Sequence, residues 1–515
     1  MSARLPWRWA GLAGVTILSV LCILPVAVLL PAAVSNPAIA ASALSPRRLG
    51  LLATSVRLAT LVFVADTAIA AAAVLWAHSA RPRRAYALLA VALAAAFVPP
   101  VAHAAAWAGA SEMLRSLLGL AVAPLTDLPA AALAQGTAFL PFAIAISLAG
   151  VAAIDPALID AARALRSDDA GLRRVVLPLA LPAILAGGGV AALLSLGDEA
   201  VPSAFGVSTA AMELFSAYAA DGNAGATLAL AWPLALAATA TALTCASVLR
   251  RVSQRPAWGR RAWSAPPVFG VGTRLTLAAG AGFAVAVSSI IFMALFAGAW
   301  PPVAAARAVS SAVPDIATTA AVALTAGLVA GLLALFAGAP AGPSAPSSRW
   351  VWALALTAAI VPAPVMGAGL ITLCNTNATA ALYDSSLMLV LASLARFAPL
   401  AAVAVAVAAT RLDARALEAS IMSAPPWRAF RHVVAPQLAR PAAAGGLLVA
   451  AFSAGELGAT LMVLPPGTST AVVRAFNLLH YGASLDVAAL ALILAVLGLA
   501  TAAAAAITLQ KAWPR

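Results

Sequence analysis

Few side chains in this 515-residue chain can do ionic chemistry, because Asp, Glu, Lys and Arg make up only 9% of it. Their placement is therefore informative. One polar island, "ALEASIMSAPPWRAFRHVVAP" from Ala416 to Pro436, holds Glu418, Arg428, Arg431 and His432 in a Pro-broken amphipathic stretch. A second, "DAARALRSDDAGLRRVVLP", runs from Asp160 to Pro178. Each presents an acid on a short helix, a break and a closing proline. A smaller set, Asp198, Glu199, Glu456 and Arg396, falls within apolar runs, where ionised groups are costly and mark candidate solute paths. The acids are placed late in their runs and Arg396 deeper, where it needs a partner in the bundle interior. Bond-breaking chemistry lacks members: His103, His432 and His480 do not cluster and His78 stands alone, so no metal site and no catalytic triad is expected. The phosphate-cradling motif G-x-x-x-x-G-K-[ST] needs a lysine, and the sequence has only Lys511. Any ATP hydrolysis is therefore expected in a separate chain, with no cofactor bound here.

The elements that must position these residues are membrane spans. A mean hydropathy of +1.01 leaves no large soluble domain. Spans of about 20 apolar residues are needed to cross the hydrocarbon core, and in lipid such runs must be helical to pair their backbone groups. Twelve are expected, near residues 10–33, 56–78, 85–107, 130–153, 180–203, 226–249, 275–299, 316–338, 351–373, 386–409, 440–463 and 487–510. The fold class is thus all-α and polytopic. A basic, apolar start, "MSARLPWRWAGLAGVTILSV", reads as a retained first span or uncleaved anchor. Cys22, Cys245 and Cys374 have no metal or disulfide spacing and read as buried fillers. The net charge of +13 is scattered over short joints, which argues against nucleic acid and reports topology instead. With both termini inside, only Arg47, Arg48, Arg57, Arg115, Arg307 and Arg474 fall outside, where they could meet an acidic soluble partner, although chance explains most of them better. Trp76, Trp107, Trp300, Trp350 and Trp352 fall at span ends, as aromatic belts do.

The chain is written twice. Glu418 lies 258 residues after Asp160, and the same shift sets Ala419 on Ala161, Arg431 on Arg173 and Pro436 on Pro178. It also sets Gly445-Gly446 on Gly187-Gly188, Gly455-Glu456 on Gly197-Asp198, and Phe397 and Pro399 on Phe139 and Pro141. Two transmembrane halves are expected, 1–249 and 271–515, joined by a basic, Pro-rich cytoplasmic linker at 250–270. Six spans per half give a parallel repeat, so both islands face the cytoplasm and a path would run between the halves.

In the second island, Ala414 to Ser423 can form a helix that Pro425-Pro426 stop and that Trp427 to Val434 restart. In the first, Ser167, Asp168 and Asp169 supply capping side chains at the corresponding break. A single loop of this kind reads equally well as an interfacial connector; two copies in register do not. The two islands resemble the EAA loop of bacterial ABC importer permeases, in which Glu-Ala-Ala, a following Gly and a closing Leu-Pro form a coupling helix seated in a groove of the ATPase. The resemblance extends over both halves, and "GELGATLMVLPPGTSTAVVRAFNLL" resembles the fused permeases of the iron(III) and thiamine importer branch. It implies a type I permease in the bacterial inner membrane, two copies of a cytoplasmic ATPase, and an extracytoplasmic binding protein. It also implies a coupling role for Asp160, Ala161, Ala162, Arg166, Arg173, Pro178, Glu418, Ala419, Ser420, Ala424, Phe430, Arg431 and Pro436. Asp160 and Glu418 would pair with basic groups of the ATPase, and Arg173 and Arg431 with its acids or with lipid phosphates. The sequence departs from the pattern at Asp160, where Glu is usual, and at Arg166 and Ala424, which occupy the Gly slot. A left-handed turn is less readily available there. The alternative is a gradient-driven carrier with parallel six-span repeats, which would show paired acids at mid-depth and has no need of registered cytoplasmic helices. A membrane scaffold would require neither.

Overall fold

Long Ala- and Leu-rich runs with good helix propensity, and no way to leave backbone groups unpaired in lipid, fold this chain as helices throughout its described residues. The computed structural model describes residues 8–79, 90–118, 126–165, 167–253, 267–339, 347–482 and 484–510, and no strand occurs among them. In chain order the elements that matter are α1 (Arg8–Ala27), α2 (Pro46–Ser79), α3 (Asp127–Ala152), the short α4 (Pro156–Leu165), α5 (Leu177–Gly197) and α6 (Ala224–Ser253). A second set follows: α7 (Val271–Gly298), α8 (Val313–Gly338), α9 (Leu387–Ala409), the short α10 (Ala414–Ser423), α11 (Ala435–Ala454) and α12 (Ser484–Gln510). Among the described residues, ten helices are long and apolar enough to cross a membrane, or twelve if two bent pairs each count as one.

Those bent pairs correct the sequence reading. The runs at 85–107 and 351–373 are not continuous spans but fold as Ala90–Phe97 with Pro100–Ser111, bent by 110°, and Arg349–Ile360 with Ala363–Cys374, bent by 102°. Proline is the reason. Val98 precedes Pro99 and is extended at ψ 123°, and Pro362 is extended at ψ 143°, so neither helix can run through. The runs at 180–203 and 440–463 are also interrupted, at Asp198 and at Gly455 to Leu457, before short helices Ala200–Ala204 and Gly458–Val463. The first four residues of the expected linker, 250–253, complete the last turn of α6, and 254–266 lie outside the described residues.

The 258-residue shift recurs in the backbone. Pro156–Leu165 maps onto Ala414–Ser423, Asp168–Gly171 onto Pro426–Ala429, and a π-helical turn at Leu172–Val176 onto another at Phe430–Val434, with both ends of each element in register. The first helix of each set crosses to the other set. Gly14 of α1 packs on the backbone of α8 at Ala337, and Gly280 of α7 packs on Ala72 of α2. Small residues permit this closeness, which lipid rewards through van der Waals contact rather than through water exclusion. At one close crossing, between α8 and α11, a Cβ on Gly327 would stand 2.6 Å from the Gly446 carbonyl oxygen. Gly327→Val therefore cannot fit without separating these helices. The expected cost is about 1–3 kcal/mol, read as a lower melting temperature of the detergent-purified chain; an unchanged melt would show the crossing is loose.

Candidate functional site

Two surfaces and one interior cluster carry the chain's polar chemistry. The first surface is the pair of islands. On α10, Asp413 caps the helix by accepting from the Arg415 amide at 2.9 Å, and Glu418 and Ala419 are exposed beside Met422, which is 89% exposed. Ala424 ends the helix in an extended conformation, φ −145° and ψ 153°, so this joint needs no left-handed residue and tolerates the missing glycine. Trp427, 56% exposed, stacks on Phe430 at 5.5 Å, and Phe430 in turn stacks on Phe336 of α8 at 6.1 Å. Phe430 and Ser420 are buried, so they face the bundle rather than a docking partner. Arg431 and Pro436 are exposed.

On the first island Ala161, Arg173 and Pro178 are exposed, Asp160 and Ala162 are half-buried, and Arg166 lies outside the described residues. Ser167 caps its own short helix through the Ala170 amide. Asp168 and Asp169 do something else. Asp168 pairs with Arg163 at 2.8 Å and accepts from the Val268 amide, while Asp169 accepts from the Gly270 amide at 2.7 Å, and Arg173 donates to Thr273. The island thereby holds the N-terminus of α7, where exposed amides and the helix dipole favour acids.

The interior cluster lies at the far ends of α5 and α11. The 21 residues of α5 extend about 31 Å, roughly one hydrocarbon thickness, from the island to Asp198. Asp198 accepts from Gln135 of α3 at 2.7 Å and from the Ala200 amide at 3.2 Å. Its counterpart Glu456 pairs with Arg396 of α9, accepts from the Ala459 and Thr460 amides at 2.8 Å each, and also from the Thr460 hydroxyl. Behind the acids the same contact is built twice: Ser195 donates to Gln135, and Ser393 bonds Ser453 at 2.7 Å, each partner displaced by 258. Asp198, Glu199, Arg396 and Glu456 all line one cavity of about 570 Å³ walled by helices of both sets, with Phe139, Phe142, Phe397 and Phe452 on its apolar sides. Leu249, beside the linker, and Trp352 also line it, so this tryptophan is not simply a belt residue. Trp107 is likewise drawn inward, donating to Thr137 at 3.1 Å.

On the face opposite the islands, Arg47 and Arg48 pair with Glu213, at 2.8 and 3.2 Å. Arg474 pairs with Asp315 at 2.9 Å. The two latches join equivalent elements with their charges exchanged. Three of the arginines expected on the outer side are thus engaged within the chain; Arg57 and Arg307 are exposed, and the Arg115 side chain lies outside the described residues. The three cysteines are free and buried. Sequence reasoning missed Gln135, which a polar residue inside an apolar run should have flagged, and Asp66 of α2, a buried acid whose Oδ2 has no partner among the described residues. Asp66 lies behind the cavity wall, against α3 at Gly136. No group of three His, Cys, Asp or Glu among the described residues could hold a metal ion.

Helices long and apolar enough to cross a membrane, with a largely apolar cavity that holds four charged side chains, have the make-up of a membrane transport protein. Over residues 2–255, just under half of its length, the chain matches the family described as binding-protein-dependent transport system inner membrane component. It is 41% identical over 81 residues to PhnV of Salmonella typhimurium, a permease protein named for a 2-aminoethylphosphonate transport system, and equally to its namesakes in Salmonella choleraesuis and Salmonella typhi. That segment is 16% of this chain and spans 31% of the relatives' length. No solved structure matches the chain.

The Arg396–Glu456 pair generates a prediction. Glu456 has a side chain only 1% exposed, so Arg396→Ala leaves a buried carboxylate with neutral donors but without its guanidinium partner. The expected loss is about 3–5 kcal/mol, seen as a large drop in melting temperature, and adding Glu456→Gln should recover much of it. A double variant no more stable than Arg396→Ala would show that the pair is not coupled.

Proposed function

We propose that this chain is a fused permease of an ATP-driven importer, with residues 1–249 and 271–515 as its two halves and 250–270 as their linker. It lies in the inner membrane with both termini and both islands cytoplasmic, carries a small solute through the cavity between the halves, and receives work from a pair of ATPase subunits that it does not contain. An extracytoplasmic binding protein delivers the solute. One observation carries this reading: two exposed, acid-bearing short helices, each leading through a π-helical turn into a long span, recur in register 258 residues apart. Closure of an ATPase dimer would press these helices together, and Asp160 and Glu418 would meet its basic groups. Because each island is continuous with the span that ends at a cavity acid, α5 or α11, the displacement would rock one half against the other.

For the solute, the resemblance of "GELGATLMVLPP" to the iron(III) and thiamine branch and the short match to permeases named for 2-aminoethylphosphonate point to different compounds. Thiamine and 2-aminoethylphosphonate share one feature, a cationic nitrogen. The acids Asp198, Glu199 and Glu456 in the cavity lining support a solute carrying such a charge.

The coupling role is tested by the Asp160→Arg, Glu418→Arg double variant. Charge reversal should abolish co-purification of the ATPase, or its stimulation, while membrane insertion and yield stay normal. Full retention of both would refute the role.

A further inference from the structure

Of the three carboxylates facing the cavity, two are already answered by the protein. Asp198 takes hydrogen bonds from Gln135 and the Ala200 amide, and Glu456 takes them from Arg396, two amides and a hydroxyl. Glu199 is different. It is only 5% exposed and lines the cavity, yet the hydrogen bond its carboxylate takes comes from its own backbone amide and none of the hydrogen bonds described for the neighbouring helices reaches it. A buried charge left in that condition is costly unless something pairs with it.

The repeat shows that the fold does not require this acid. Under the 258-residue shift Glu199 corresponds to Leu457, and the same break followed by the same kind of short helix forms there with an apolar side chain. The opposite wall is adapted to Glu199 as well. Gly458, at the start of the short helix of the second set, leaves the space that Glu199 occupies, and a Cβ on it would collide with the Glu199 carboxylate; the corresponding residue in the first set is Ala200. The remaining lining favours an organic cation. Phe142 and Phe397 both pack against Phe452, with ring centroids 5.8 Å apart in each case, and Arg396 lies over Phe397 at 5.5 Å, so these rings already host one cation. An anion would meet three carboxylates and a single guanidinium that Glu456 holds.

Resting on the permease reading, we infer that the cavity selects solutes bearing an organic ammonium-type cation, and that the Glu199 carboxylate, accommodated by Gly458, is its counter-ion and the specificity-determining residue of the path.

A thiol placed in the cavity reads this directly. Gly197 lines the cavity, and a Cβ there meets nothing within 4 Å. Gly197→Cys, in the full chain carrying Cys22→Ala, Cys245→Ala and Cys374→Ala, would be labelled with three methanethiosulfonates: a trimethylammonium, a sulfonate and an uncharged methyl reagent. The expected result is labelling by the ammonium reagent on the order of tenfold faster than by the sulfonate, the scale on which a charged cleft concentrates counter-ions. Glu199→Gln, and Glu199→Leu with the residue that the second set already accommodates, should remove most of that preference, while Glu199→Asp should keep it. Rates with the uncharged reagent should be the same in all of them, since an opened fold would raise all three rates together. Equal rates for the two charged reagents in the parent, or a preference that survives Glu199→Leu with the uncharged rate unchanged, would overturn the inference. ATPase co-purification scored on the same preparations separates the two ideas: losing it in the parent chain sinks the permease reading, whereas losing only the charge preference sinks the role of Glu199.

Discussion

A carboxylate at the end of a broken span has to be met by donors, and that constraint organises this molecule. Asp198 and Glu456 stand where α5 and α11 stop, and each accepts backbone amides at the start of the short helix that follows. In lipid, freed amides have no water to turn to. Acid and break therefore stabilise each other, since the carboxylate takes up amides that the end of the helix leaves free. Gln135 and Arg396 complete the arrangement from α3 and α9, tying each break to a neighbouring span.

The same architecture, built twice, lets one half serve as a control for the other. Hydrogen bonds that recur at the 258-residue shift, such as Ser195 to Gln135 and Ser393 to Ser453, belong to the scaffold. Differences are more telling. The outer latches join corresponding elements from different positions and with the sign exchanged, which leaves the attraction intact. Asp168 and Asp169 hold the start of α7, whereas Pro426 and Trp427 at the same places in the second island do not carry carboxylates. The first island is therefore tied to the beginning of the second set of helices, and a displacement of that island would be felt on both sides of the bundle.

Reach and rigidity join the surface to the interior. From an island, α5 or α11 passes without interruption to a cavity acid, and a packed helix moves as a rod more readily than it compresses. On the second island the Trp427, Phe430 and Phe336 rings form a continuous stack into α8. The first helices, α1 and α7, cross to the opposite set and pack closely on it, so the two sets are interlocked.

Composition and periodicity alone determined that the chain is a polytopic helical membrane protein, because apolar length and the need to pair backbone groups leave no other solution. The sequence likewise determined the 258-residue repeat and the two islands, since the order of acid, break and proline is written in the residues themselves. It did not reveal that four of the apolar runs are interrupted, because hydropathy measures how apolar a segment is and not whether its axis continues. Nor did it show which charges are engaged. Glu213 meets Arg47 across 166 residues and Asp315 meets Arg474 across 159, distances over which pairing depends on helix packing. Tertiary structure alone decided that neighbouring helices answer Asp198 and Glu456 while Glu199 is met only by its own backbone amide, because a carboxylate's partners come from whichever helices fold against it.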